Sequence, residues 1–222
     1  MYTQPDLPMV YVSSDSPGQG APLVLLLHGY GANEHDLFDL HRFFRKVHTL
    51  SLRAPLVLAP ASFAWFDLAF TTQGIAVDPD QARKSVVLLN EYIQAAIHAF
   101  APVSGKVILV GFSQGASMAA LTTLHYPEQI QATAVISGIV AAEMLENDPD
   151  LEKLQGHPFF VGHGQYDQVV PVEHGRATKA FLQALPVTLE YHEYKMAHEI
   201  NQNCLIDLTE WLAKVTSERV GK

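Results

Sequence analysis

The sequence predicts a doubly wound α/β sheet, mostly parallel and flanked by helices on both faces. Three observations predict it. Short Val- and Leu-rich runs alternate along the chain with longer segments of helical periodicity. Several of the runs, such as Leu23–Leu27 and residues 107–110, lack the polar alternation of a half-exposed strand, as strands buried on both faces do. At 222 residues and 48% hydrophobic content, the chain suffices for one well-buried domain over 1–222 and is short for two.

Taken in order, strands are expected at residues 9–13, 22–27, 56–59, 106–110, 132–136, 158–161 and 188–194. The spacing of Leu37, Leu40, Phe44 and Val47 predicts a helix over 36–47. Residues 79–100 give the clearest helix, with Val86, Leu89, Ile93, Ile97 and Phe100 on one face. Asp78 or Asp80 is available as its N-cap and Pro102 lies just past its end. Further helices are expected at 114–125, 173–185 and 199–218, the first two ending before Pro127 and Pro186. Residues 61–78, carrying Phe63, Trp65, Phe66 and Phe70, read as irregular, and so does the acidic stretch 143–156.

Composition excludes more than it names. A net charge of −9, a pI of about 5.6 and no run of Lys or Arg leave no electrostatic footprint for nucleic acid or an anionic membrane. The first residues lack a basic segment followed by an apolar one, so no signal peptide is expected, and no apolar run reaches membrane-spanning length. A single cysteine, Cys204, suits a reducing compartment, and the cytoplasm is the expected location.

The most informative segment is Gly111-Phe-Ser-Gln-Gly115, placed between a strand pattern and a helix pattern. A G-x-S-x-G turn in that context presents its serine on a sharp, strained bend, and the following helix aims its free N–H groups at charge building up beside it. Ser113 is therefore the candidate nucleophile. A serine hydroxyl needs a base, and the base needs an orienting acid, in the chain order Ser, Asp or Glu, His.

Of eleven histidines, only His198 lies in a loop after a strand and downstream of a suitable acid. His192 falls within a strand. His35, His41, His48, His98, His125 and His174 fall on or beside helices and read as solvated, while His28 and His163 adjoin glycines and read as loop-shaping. Asp167 follows the 158–161 strand, bracketed by glycines and by Val169-Val170-Pro171, which would keep its carboxylate dry. Glu143, Asp148 and Asp150 read as surface charge, and Glu199 is too close in sequence to His198 for easy contact. Two backbone N–H donors are needed for the oxyanion: Gln114, just after the nucleophile, and Tyr30 in the early loop His28-Gly-Tyr-Gly-Ala32. Cys204 lies in a helix pattern as a core residue, no metal-ligand spacing is present, and nothing matches a nucleotide loop. Neither metal nor organic cofactor is expected.

These residues carry a family resemblance. Gly111–Gly115, His28–Ala32, Trp65-Phe-Asp67, the run His163 to Pro171 and Met196-Ala-His-Glu-Ile200 together resemble the phospholipase/carboxylesterase family of α/β-hydrolases. That family includes small bacterial carboxylesterases and eukaryotic acyl-protein thioesterases. The resemblance implies an α/β-hydrolase fold without a large cap and a triad of Ser113, Asp167 and His198, with Tyr30 and Gln114 as oxyanion donors. It also places Trp65 and Phe66 beside the acyl pocket and Val170 just after the acid. Tyr30 replaces a frequent leucine and Ala197 a frequent glycine, which bears on substrate choice. The expected reaction is hydrolysis of carboxylic esters, thioesters or lysophospholipids through an acyl-enzyme, on a small-molecule ester or acyl substrate. A homodimer could form through the aromatic loop. The alternatives are a dienelactone-hydrolase-like or peptidase-like member of the fold, or a silent binding protein built on it.

Overall fold

The computed structural model describes residues 5–71, 74–140, 144–145 and 147–217. Seven strands form the central sheet: β1 (Tyr11–Ser13), β2 (Leu23–Leu27), β3 (His48–Leu52), β8 (Val107–Phe112), β9 (Ile130–Ile136), β10 (Pro158–Gly164) and β11 (Thr188–Tyr194). Their spatial order is β1-β3-β2-β8-β9-β10-β11, and only β1 runs antiparallel to its neighbour. Strand β2 is where the winding reverses, because the chain passes from it to β3 on one side and later to β8 on the other. The crevice above the carboxyl ends of β2 and β8 is thus the natural binding site of such a sheet.

Period-two side-chain geometry divides each strand between two cores. Leu23, Leu25 and Leu27 pack toward α1 (Pro79–Phe100) with Leu89, Ile93 and Leu109, whereas Val24 and Leu26 pack toward α4 (Gln202–Ser217) with Ile108, Leu208 and Trp211. Helices α2 (Gln114–His125) and α3 (Val172–Gln183) extend the first face through Ala116, Ala120, Val135, Phe159, Val161 and Leu182. Nearly every residue of α2 is buried, which explains its continuous Ala, Met and Leu composition. Asp78 caps α1, its carboxylate accepting from the Asp80 and Gln81 N–H groups at 2.9 and 3.3 Å.

Several expectations are corrected. The helix over 36–47 is a short 3-10 turn, Phe38–Arg42. Its bonds reach only three residues back, and Lys46, at φ 58°, turns the chain into a strand. That strand, β3, escaped the sequence reading because it alternates polar and apolar residues while being buried on both faces. His48 is not solvated but buried, its Nε2 2.8 Å from Ser13 Oγ. Residues 56–59 do form a strand, β4 (Leu56–Ala59), but outside the main sheet: it pairs antiparallel with β5 (Ser62–Ala64), and all four residues are exposed.

Residues 61–78, read as irregular, hold β5 and an antiparallel ribbon of β6 (Leu68–Thr71) and β7 (Gly74–Val77). The expected helix end at Glu218 and the acid candidate Glu143 lie outside the described residues. Among the described residues, no helix is long and apolar enough to cross a membrane.

Candidate active site

Three loops at the carboxyl edge of the sheet bring Ser113, Asp167 and His198 together. Ser113 follows β8 directly, at φ 54° and ψ −120°, a conformation that costs a non-glycine residue roughly 1–3 kcal/mol. Its N–H donates to Ile136 O at 2.9 Å, and its carbonyl accepts from Ala116 and Ser117, so both neighbouring elements hold the bend. The bend also requires two close backbone approaches. A Cβ at Gly111 would stand 2.2 Å from Gly115 O, and one at Gly115 only 2.0 Å from Leu27 O.

His198 lies in the loop after β11. Its Nε2 is 2.9 Å from Ser113 Oγ and its Nδ1 2.7 Å from Asp167 Oδ2. The ring leans on Phe112, with centroids 4.8 Å apart. Gly164 lets this loop lie on the end of β10, since a Cβ there would meet Ala197 O at 2.3 Å. Asp167 is fully buried at its side chain, and its other oxygen accepts from the Val169 and Val170 N–H groups at 2.9 and 2.8 Å. A carboxylate held dry by two amides keeps one oxygen for the imidazole, which fixes the Nδ1–H tautomer and leaves Nε2 to accept the serine proton.

The loop His28–Gly31 is braced from several sides. The buried His28 donates from Nδ1 to Gly29 O at 2.7 Å and accepts at Nε2 from Ala54 N–H at 3.1 Å. Burial pushes its imidazole below the ordinary range, consistent with a neutral ring satisfied at both nitrogens. Gly31 N–H donates to Phe63 O and Phe63 N–H to Ala32 O, binding this loop to β5. Nearby, Glu34 is buried against a fork of Arg53, whose guanidinium also sits 4.6 Å over the Phe63 ring.

Arg53 and burial pull in opposite directions on Glu34, and the guanidinium wins, holding the carboxyl at about 2 against an ordinary 4.5. A lowered folded-state value means that this pair's stabilisation is complete above pH 4.5 and is lost as pH falls toward 2. Replacing Arg53 with Ala leaves a buried carboxylate without its partner. It is expected to cost about 2 kcal/mol at neutral pH, less than a fully buried pair because Arg53 is one-third exposed. Acid unfolding followed by circular dichroism checks this: the variant loses the part of the stability decline lying between pH 4.5 and 2.

A cavity of about 490 Å³ opens beside Ser113, with His198 and Gln114 on its wall. Phe66 and Val170 line it, as the sequence led one to expect, and Tyr30 stands at its edge. Trp65 does not. Its indole is 1% exposed, with Nε1 donating to His28 O at 2.9 Å, so the ring fills space behind the wall. The position of Trp65 in a resembling motif pointed to the pocket. An indole whose N–H reaches a strand-end carbonyl can be buried completely, and this one is.

Leu68, Val77, Ile139 and Met144 also line the cavity and were missed. The signal for Ile139 was present, since each parallel strand delivers its next loop to the same edge; the other three depend on tertiary packing. Also missed was the side chain of Gln114. Its Oε1 accepts from Trp65 N–H at 2.9 Å and its Nε2 donates to Phe66 O at 2.7 Å, tying the aromatic loop to the serine bend. The rival acids Asp148 and Asp150 are exposed on the surface.

The model of the phospholipase/carboxylesterase family matches residues 10–216. The chain belongs to that family. It is an esterase-type hydrolase with the α/β-hydrolase fold. Among its relatives, this phospholipase/carboxylesterase-family chain is 28% identical over 195 residues to MhqD of Bacillus subtilis, covering 87% of this chain and 94% of that protein. It is 28% identical over 158 residues to acyl-protein thioesterase 1 of Kluyveromyces lactis, with 68% of each covered. The crystal structure of esterase PE8 superposes with a TM-score of 0.79 at 28% identity, covering 94% of this chain and 99% of that one.

Proposed function

We propose that the chain hydrolyses carboxylic esters or thioesters through an acyl-enzyme on Ser113. The observation that carries the reading is the continuous hydrogen-bonded path Ser113–His198–Asp167 at the wall of a largely apolar cavity. His198 Nε2 takes the Ser113 proton as Oγ attacks the acyl carbon. The proton then passes to the departing alcohol or thiol. A water deprotonated by His198 attacks the acyl-enzyme, the acyl–Oγ bond breaks as His198 returns the proton to Ser113, and the carboxylate product leaves.

The backbone N–H groups of Gln114 and Tyr30 hold the oxyanion in this reading. Gln114 supports it by position, as the first residue of α2, where the helix dipole adds to the donor. Phe66 and Val170 contact the acyl chain, and the single buried cysteine suits a cytoplasmic setting.

A fluorophosphonate probe tests the reading. The wild-type protein is expected to label once, at Ser113, with Ser113→Ala unlabelled and correctly folded. Equal labelling of the variant, or a folded wild-type protein that resists the probe, would falsify it.

A further inference from the structure

We propose that His163 is a positioning residue for the reaction, holding the acid turn 167–170 in register with His198 through the Val170 carbonyl. The inference rests on the triad reading above but on separate atoms. His163 is the penultimate residue of β10 with no exposure to solvent, and its Nε2 lies 2.8 Å from Val170 O. A carbonyl only accepts, so Nε2 carries the proton. Val170 therefore does three things at once. Its carbonyl receives His163, its N–H binds Asp167 Oδ1, and its side chain lines the cavity. His163 Nε2 also stands 3.8 Å from Asp167 Oδ2, the oxygen that receives the His198 N–H.

The rest of the ring is built to stay neutral. Nδ1 is buried with no hydrogen-bond partner among the described residues, and α3 presses on it at Gly175, where a Cβ would come within 2.6 Å. A lone pair there costs less than an N–H with no acceptor, which is what protonation would create. The ionisable groups around the ring are Asp167 in the same loop, His198 from the loop after β11 and His174 from α3. Burial outweighs the Asp167 charge and pushes the imidazole below its ordinary value. The ring is a fixed donor across the working pH range rather than a second base.

A size-matched pair of variants tests this. His163→Gln keeps an N–H near the Nε2 position, and His163→Met fills similar space without a donor. With a soluble ester substrate, His163→Met is expected to lower kcat by about 10- to 100-fold, the scale of leaving a buried carbonyl without its donor. KM should change little. A looser carboxylate stabilises the His198 imidazolium less, so the acid limb of the kcat/KM profile moves to lower pH. His163→Gln should recover kcat to within about fivefold of wild type, since a side-chain amide N–H replaces the ring donor.

Equal kcat in the two variants, or a loss in His163→Met with an unmoved acid limb, overturns the proposal. If neither variant folds, histidine 15N spectra of the wild-type protein decide. A neutral Nε2–H ring at His163 supports the role, and an Nδ1–H ring ends it. Should Ser113→Ala retain turnover, the triad reading itself fails; should it be inactive while the two His163 variants match wild type, only the positioning role falls.

Discussion

Asp167→Asn is expected to lower kcat by roughly 10³- to 10⁴-fold while leaving the fold and KM nearly intact. The hydrogen bonds around the residue dictate the outcome. The Val169 and Val170 N–H groups require an acceptor and will hold the carboxamide oxygen where Oδ1 stands now. The amide nitrogen is then turned toward His198 Nδ1, at the place of an oxygen now 2.7 Å away. An amide N–H can only donate, so Nδ1 gives up its proton and Nε2 acquires one. Nε2 then points an N–H at Ser113 Oγ and cannot take the serine proton. Steady-state kinetics beside a thermal melt give the answer. A variant with wild-type kcat would return the acid role to another carboxylate, and one that melts far below wild type would show Asp167 acting mainly in the fold.

The second large effect is on stability. Gly115→Ala adds one methyl group, yet its carbon would lie 2.0 Å from Leu27 O and 2.6 Å from His28 O. Both obstacles are backbone, and Leu27 belongs to a strand paired on both sides, with β3 and with β8. Retreat by α2 is equally costly, because its first turn carries the serine bend and its sides are buried. A loss of at least ~3 kcal/mol is expected, a fall in melting temperature of roughly 6–12 °C for a domain of this size. Differential scanning calorimetry measures it directly. An unchanged melting temperature would mean that the helix and strand are less tightly joined than these distances require.

What could be read in advance divides along physical lines. Strands buried on both faces and uniformly apolar, β2 and β8, announce themselves, because composition and burial agree there. Strand β3 occupies the same kind of place with His48, Thr49 and Ser51 in it: Ser13 partners the His48 ring, while the Thr49 and Ser51 hydroxyls are buried with no hydrogen-bond partner among the described residues. That Ser113, Asp167 and His198 meet at one edge of the sheet was legible because chain order and loop position survive in one dimension. The Gln114 amide bonds, the burial of Trp65 and the Glu34–Arg53 pair were not, since each joins segments whose approach is set by the folded sheet.

The hairpin strand β4 carries a consequence for how one copy of the chain would meet another. Four apolar residues without a charge lie exposed on a strand that, among the described residues, is paired along one side only. Such an edge can template the addition of another chain. Here Pro55 and Pro60 close it at both ends. Neither proline has an N–H to offer an incoming strand, and each restricts the residue before it. An intruding chain would find a docking rail only four residues long, too short to support a growing ladder. Pro55 and Pro60 thus shorten the rail that this exposed apolar strand offers to another chain.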